Sequence, residues 1–439
     1  MNDFLEEFNN YKDFVAYMEA VANNYSNLKN RPSVNCKEVD MFLNGVNSKA
    51  ISKFLCGRLR KEQGIFFTDE KLANKIAFKI KKELRAGKTI YDPACGAGDL
   101  LLACTQYMPL KGSFSETSRF WSDRIYGQDI FKDFIRSARS RILLSCSNKS
   151  IVNSSDFDTS FYFKNIIEKN FFEENHIKKA DCIVTNPPFG YVDLTGKVEW
   201  GSGRGQLAAL FVDNLIESGR DGQRLVAILP DVLRSGSRYS KWRGYVNKNS
   251  IKLKSEIFGK FNDEADVDVF ILDLTIKKNN QKKEKISFNV SQSCVVDSSK
   301  VSDYFNVSVG PVVPHRDTEE GSLVPYLDTS NAVIKTEIVV SKKSRYECTM
   351  KKPPFVVIRR TSGPNDFPRL KCTIVKGNES VAVENHLIVL EPIDGKLKTC
   401  RSFMEFSCGD GVTELINKKI RCRHLTVGAV KEIPWKSKK

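Results

Sequence analysis

The most chemically pointed stretch of this chain is Asp181-Cys182-Ile183-Val184-Thr185-Asn186-Pro187-Pro188-Phe189-Gly190. An apolar strand pattern runs straight into Asn-Pro-Pro-aromatic. Each proline lacks an N–H and fixes φ, and the residue before a proline is pushed to extended conformations. The loop that results is rigid. It presents carbonyl acceptors and the Asn186 side-chain oxygen with few competing donors, and the flat ring of Phe189 follows at once. In-plane acceptors beside an aromatic face suit an –NH₂ group on a flat heterocycle. Asn186, Pro187, Pro188 and Phe189 are therefore the candidate catalytic residues. The alternative is a turn that merely ends a strand.

A second motif lies upstream, in Tyr91-Asp92-Pro93-Ala94-Cys95-Gly96-Ala97-Gly98. A strand ends at Asp92, and Gly96 and Gly98 allow a tight turn and close approach of backbone to a ligand. The loop lacks the third glycine of a dinucleotide fingerprint and the Lys-Ser/Thr of a phosphate loop. An acidic residue at the strand end repels a pyrophosphate and suits a cationic or amino-bearing ligand. Asp129 ends the next strand pattern, where a carboxylate bonds ribose hydroxyls in dinucleotide folds. It lies further along than the ~20 residues usual there, and the polar insert Pro109–Asp123 accounts for the excess. A helix N-cap before Phe131 is the competing role. Asp156 also follows a strand pattern, placed to accept from an exocyclic amine; an N-cap or turn role competes, as does Asp158.

The elements that position these residues alternate. Strand patterns cover Thr89–Tyr91, Arg124–Tyr126, Ser150–Asn153, Asp181–Thr185, Gln223–Leu229, Leu253–Phe258 and Val267–Ile276. Helical patterns cover Asp99–Tyr107, Phe131–Ser145 and Gln206–Ser218. This is the rhythm of a doubly wound α/β sheet, in which ligands bind beyond the carboxyl ends of the strands. Residues 1–60 read as helices, with Phe4, Leu5, Phe8, Tyr11, Phe14, Val15 and Met18 at helical spacing and a second run from Val39 to Leu59. Lys277–Lys285 is a polar connection. From about Val301 onward the chain is β-rich and proline-punctuated, with strands such as Phe355–Arg359 and His386–Leu390.

Composition bounds the partners. The 439 residues carry 69 Lys+Arg against 53 Asp+Glu, a net charge of +16. That suits a polyanion, nucleic acid first. No apolar run is long enough to cross a bilayer as a helix, and the acidic start MNDFLEEFNNYKDF argues against a signal peptide. The 12 cysteines include no CxxC pair, which points to free thiols in a reducing compartment. Cys400, Cys408, Cys422 and His424 match no zinc template, so no metal is expected.

Together the motifs resemble those of S-adenosylmethionine-dependent N6-adenine DNA methyltransferases, the group with type I modification subunits and related type II enzymes. Asp92–Gly98 resembles the family's DPACGSG cofactor loop, with Ala97 where Ser is common. Asn186–Phe189 resembles its NPPF/Y catalytic loop. Gly64-Ile65-Phe66-Phe67-Thr68 resembles the G-x-F-F-T-P segment over the methionine end of the cofactor, with Asp69 in place of Pro. Leu225–Pro230 resembles the later strand ending in Leu-Pro. The likeness runs from about Lys61 to Lys277, in the family's order.

The resemblance implies a Rossmann-like seven-stranded methyltransferase sheet over 61–290, after the 1–60 helical segment. It implies S-adenosyl-L-methionine as cofactor, bound by Phe66, Phe67, Thr68, Asp92, Ala94, Gly96, Gly98, Asp129 and Asp156. It also implies double-stranded DNA as substrate, base flipping, a cytoplasmic setting in a bacterial or archaeal cell, and association with a specificity or restriction subunit. Residues 291–439 more weakly resemble a target-recognition domain, through Leu415–Ile420, His424–Val427 and Ile433-Pro434. There Lys342, Lys343, Lys351, Lys352, Arg359 and Arg360, interleaved with Tyr346 and Phe355, are the candidate phosphate contacts; a solvated face is the alternative. Glutamine or RNA methyltransferases share the Asn-Pro-Pro loop, and a non-catalytic DNA-binding subunit is a third reading.

Overall fold

The structure, a computed structural model, describes residues 2–27, 36–58, 60, 64, 68–150, 162–261, 267–278, 286–287, 299–314, 316–317, 321–409 and 411–436. The chain divides into two compact units, residues 1–233 with 241–288, and residues 234–240 with 289–439. Among the described residues no helix is long and apolar enough to cross a membrane.

The first unit is built on an eight-stranded sheet. Its strands are β1 (Ile90–Asp92), β2 (Ile125–Asp129), β3 (Ile166–Glu168), β4 (Cys182–Thr185), β7 (Arg224–Pro230), β8 (Ser250–Lys260), β9 (Asp268–Ile276) and β10 (Ile286–Ser287). The order is β10-β8-β9-β7-β4-β1-β2-β3. The strands from β3 to β7 run parallel, and β9 is antiparallel to both neighbours. Seven strands give the doubly wound pattern read from the sequence; the short β10, parallel to β8, is the addition. A further hairpin, β5 (Tyr191–Asp193) with β6 (Arg204–Gln206), follows the Asn-Pro-Pro loop. The central strands read as continuous apolar runs because both faces are covered: Leu225 to Leu229 and Val269 to Leu272 are all buried.

One expected strand, Ser150–Asn153, falls almost wholly outside the described residues. Residues 151–161, including Asp156, lie outside the described residues. The strand that pairs with β2 is Ile166–Glu168, in register Gly127↔Ile166 and Asp129↔Glu168.

The chain order reverses at β1, which has β2 on one side and β4 on the other. A crevice opens at such a switch point, beyond the carboxyl ends of the strands. Asp92, Asp129 and Asn186 all sit there. The opposite end of the β1/β4 pair is pinned by Asp181, whose carboxylate accepts from the Thr89 N–H at 3.0 Å and the Thr89 hydroxyl at 2.9 Å.

The N-terminal helices pack on this sheet's largest covering helix, Lys132–Lys149. The helix Tyr11–Ser26 contributes an Arg136–Glu19 ion pair at 2.6 Å and the Tyr11 hydroxyl, which donates to Asn47 at 3.0 Å. The second helical run is two helices, Cys36–Leu43 and Val46–Phe54, broken where Gly45 takes φ +84°. Arg141, buried in the middle of Lys132–Lys149, donates to the Phe42 carbonyl at 3.0 Å, the Ala97 carbonyl at 2.8 Å and the Asp99 carboxylate at 2.6 Å.

The second unit holds a five-stranded sheet, β11 (Phe305–Val309), β18 (Leu387–Pro392), β15 (Phe355–Arg359), β16 (Cys372–Val375) and β13 (Glu337–Ile338), in that order. A smaller sheet joins β14 (Lys343–Arg345), β12 (Leu323–Leu327) and β17 (Ala382–Val383). The carboxyl-terminal part is not β-rich as expected but helical, over Leu397–Ser407, Val412–Lys419 and Val427–Lys431. Phe403, Ile416, Ile420 and Val430 on these helices fill one core with Val356, Ile358 and Leu390 of the larger sheet. Apolar residues three and four apart carried that helical signal, and the prolines upstream masked it.

Removing the Arg141 guanidinium leaves buried acceptors and the Asp99 charge unmatched. Arg141→Met should cost roughly 3–5 kcal/mol, read as a lowered midpoint in urea unfolding; a midpoint unchanged within error would refute the pairing.

Candidate active site

The loop after β1 turns on two glycines. Gly96 has φ +50° and Gly98 φ +87°, and a Cβ on Gly98 would lie 2.9 Å from the Ala138 Cβ. The loop therefore lies directly on the helix Lys132–Lys149, as close as glycine allows. Asp92 is fully buried at its start and accepts from the Ala94 N–H at 3.1 Å. Asp129, at the end of β2, reaches across to the loop. Its carboxylate accepts from the Gly96 N–H at 3.0 Å and from the Phe131 N–H at 3.0 Å. The helix N-cap is Phe131, so Asp129 closes a turn before the helix rather than capping it.

Burial raises the proton affinity of both carboxylates in this crevice. Burial, with the Asp129 charge adding to it, pushes Asp92 up to about 8 against the bonding from Ala94. Burial holds Asp129 up to about 6, against the N–H bonds from Phe131 and Gly96. The crevice is lined on one side by Asp92, Ala94, Gly96 and Asp129, and on the other by Thr68, Asn186 and Pro188. Its remaining wall carries the apolar side chains Ile130, Phe131, Phe134, Phe171 and Phe211, with Lys169 and Asn170 beside them. Phe171 and Phe211 stack at 4.7 Å and 15°. Ile130 is exposed beside Asp129.

The Asn-Pro-Pro loop leaves β4 next to Asp92. Asn186 donates from Nδ2 to the Thr68 hydroxyl oxygen at 3.1 Å. Pro187 is buried and Pro188 half-buried. Phe189 is buried, its ring edge-on to Phe261 at 5.3 Å and 66°. Gly64 lies against the same loop: at φ +65°, a Cβ there would fall 2.9 Å from the Phe189 and Gly190 nitrogens. Asp69, where the resembling segment has Pro, is the N-cap of the helix Glu70–Lys79, accepting from the Lys71 N–H at 2.7 Å. It starts the helix by capping where a proline would start it by fixing φ.

Thr68, Asp92, Ala94, Gly96, Asp129, Asn186 and Pro188 thus converge on one crevice, and Gly98 shapes the loop behind it. Phe66, Phe67 and Asp156 lie outside the described residues. Asn170 and Phe171, just beyond β3, line the crevice and were missed. The short apolar pair Ile166-Ile167 followed by three polar residues and two aromatics was the available signal.

The basic run of the second unit is largely engaged by its own neighbours. Lys342 pairs with Asp328 at 2.5 Å and Lys351 with Glu391 at 2.7 Å, while Lys343 stands 3.9 Å from Glu379. Arg359 donates to the Ala332 carbonyl at 3.0 Å and Arg360 to that of Asn385 at 2.9 Å. Lys352 is exposed. Tyr346 and Phe355 do not interleave as surface rings; both are buried in core clusters. The described residues hold no group of three or more potential metal ligands, and Cys400 is a core filler.

A family model described as N-6 DNA Methylase matches residues 51–300. The type I restriction enzyme MpnII methylase subunit of Mycoplasma pneumoniae is 26% identical over 250 residues, covering 52% of this chain and 42% of that protein. The type I restriction enzyme EcoEI methylase subunit of Escherichia coli is 26% identical over 174 residues, covering 38% of this chain and 33% of that one. The chain thus spans less than half the length of these relatives. The solved type IIL restriction-modification enzyme MmeI, in complex with DNA, shares the fold with a TM-score of 0.55 at 12% identity, over 89% of this chain and 70% of that one.

A methyl on Gly64 meets backbone atoms, and L residues at positive φ cost about 1–2 kcal/mol on their own. Gly64→Ala should lower the melting temperature by several degrees; calorimetry showing no change would mean the segment does not rest on the loop.

Proposed function

This chain belongs to the N-6 DNA methylase family, and on that premise we propose that it transfers a methyl group from S-adenosylmethionine to the N6 amine of adenine in DNA, within a restriction-modification system. The observation that carries the reading is the convergence of Asn186 and Asp92 on one crevice at the sheet's switch point.

The residues present fit the cofactor. The buried acids Asp92 and Asp129 suit an ammonium group and ribose hydroxyls, the glycine loop admits close approach, and the Phe171–Phe211 wall suits a flat purine. When bound, S-adenosylmethionine supplies an electrophilic methyl on a sulfonium. Asn186 Oδ1 and the Pro187 carbonyl accept the two N–H bonds of the target amine. Adenine's amine lone pair is delocalised into its ring; accepting both protons localises the pair and aims it. Adenine inside a duplex is out of reach, so the base must leave the stack, at a cost of a few kcal/mol. Phe189, held edge-on by Phe261, provides an aromatic surface near the loop to offset it. Residues 289–439 carry the contacts to DNA in this reading, and Lys342, Lys343 and Lys352 are the exposed members of the basic run. The larger size of the curated relatives leaves room for partner subunits to complete recognition.

Tritiated cofactor offered to duplex DNA, RNA and total protein tests the substrate class. Label in N6-methyladenine of DNA is expected; label in RNA or in protein glutamine alone would overturn the reading. Asn186→Ala should lower kcat by roughly 10²–10³ while calorimetry shows cofactor affinity within about twofold; near-normal turnover would remove Asn186 from the mechanism.

Asp92 and Asp129 also set a pH dependence. Their protons are held more tightly in the folded chain than in the unfolded one, whose carboxylates titrate near 4. Stability of the free protein therefore falls as pH rises from about 4 towards 8. A cationic ligand beside Asp92 favours the carboxylate and expels the proton. Cofactor affinity should accordingly rise with pH up to about 8 and release protons on binding. Titration calorimetry in buffers of different ionisation enthalpy measures that release, and Asp92→Asn should abolish its upper part. Equal proton release by the variant would show that another group is responsible.

A further inference from the structure

We propose that Thr68 is a positioning residue for Asn186, its hydroxyl oxygen holding the amide nitrogen so that the amide oxygen faces the target amine. The inference rests on the function proposed above and adds a role for Thr68 distinct from cofactor binding.

The two ends of an Asn amide are nearly equal in shape and opposite in chemistry. With Oδ1 forward, Asn186 accepts from an exocyclic amine. With Nδ2 forward, it sets donor against donor. The catalytic loop needs one orientation, and a flanking proline fixes the backbone but not χ2. Among the described residues Thr68 holds one end of the side chain, its Oγ1 accepting from Asn186 Nδ2 at 3.1 Å.

Thr68 is itself held firmly. It is buried. The next residue, Asp69, caps the helix Glu70–Lys79 through its side chain, and its carbonyl accepts from the Ala73 N–H at 2.9 Å. Four positions earlier, Gly64 rests on the backbone of Phe189 and Gly190, with 2.9 Å from its Cβ position to both nitrogens. The segment thus meets the catalytic loop at both ends, once through backbone and once through this hydrogen bond. Thr68 also borders the crevice shared with Asp92, so the orientation of Asn186 is set from the cofactor side of the site.

Thr68→Val keeps the shape and removes the hydroxyl; Thr68→Ser keeps the hydroxyl. A net hydrogen bond of this kind corresponds to about a tenfold change in rate. Thr68→Val should lose about tenfold in kcat on duplex DNA at saturating S-adenosylmethionine, and Thr68→Ser should recover most of the loss. The Asn186 side-chain amide resonance in ¹⁵N-asparagine-labelled protein, identified by its loss in Asn186→Ala, should shift and exchange faster in Thr68→Val but not in Thr68→Ser. A raised Kd for S-adenosylmethionine at unchanged kcat would make Thr68 a cofactor ligand instead, and a loss that Ser fails to rescue would make it structural; either overturns the proposal. A wild-type protein inactive on adenine would overturn the parent reading. In that case an amide resonance unmoved by Thr68→Val would separately overturn the Thr68–Asn186 link.

Discussion

A guanidinium out of water must find its acceptors in the protein, and Arg141, 3% exposed, finds them in three places at once. The Phe42 carbonyl comes from the N-terminal helices, and the Ala97 carbonyl and Asp99 carboxylate come from the glycine loop and the helix behind it. Each acceptor is in position only if its element is. The contact of Gly98 on Ala138, one turn before Arg141, sets how near the loop comes. The N-terminal helices are thereby part of what shapes the crevice, not a segment preceding it. The aromatic cluster of Tyr11, Phe14 and Phe42 ties these N-terminal helices together, with Phe14 and Phe42 wholly buried.

Against this frame the crevice is under electrostatic tension. Asp92 and Asp129 sit at neighbouring strand ends and are met by backbone N–H groups, while Lys169, which also lines the crevice, pairs with Glu174 at 3.0 Å and Arg141 with Asp99. Their raised proton affinities are the expression of that arrangement. Such a pair of acids favours ligands that bring positive charge with them.

The parts of this site that were legible in the sequence are those whose chemistry is local. Proline, glycine and a strand-terminal acid restrict φ and burial whatever surrounds them, so Asp92–Gly98 and Asn186–Phe189 announced themselves. Element types in the α/β unit were legible for the same reason, through long apolar runs. Asn170 and Phe171 were not, because β3 is three residues long and a longer strand pattern, at Ser150–Asn153, precedes it. The helical end of the second unit was missed because prolines earlier in that unit set the expectation. The pairings of Lys342 with Asp328 and Lys351 with Glu391 were invisible, since their partners are 14 and 40 residues away along the chain.

That last failure bears on how a net charge of +16 should be read. A run of lysines and arginines advertises phosphate binding only if the charges face solvent without local partners, because a lysine already paired must break that pair before it can release a counterion from DNA. In the second unit the run's carboxylate partners come from separate turns and strands of the same sheets. The excess charge therefore belongs to the surface as a whole and supports long-range attraction of a polyanion. It does not choose which groups touch phosphate. Register on a duplex comes from fixed contacts, and the arginines here that are fixed, Arg359 and Arg360, are fixed by carbonyls of their own unit. Attraction and positioning are thus separable in this protein: the first is a property of composition, the second of the particular pairs that folding leaves unmade.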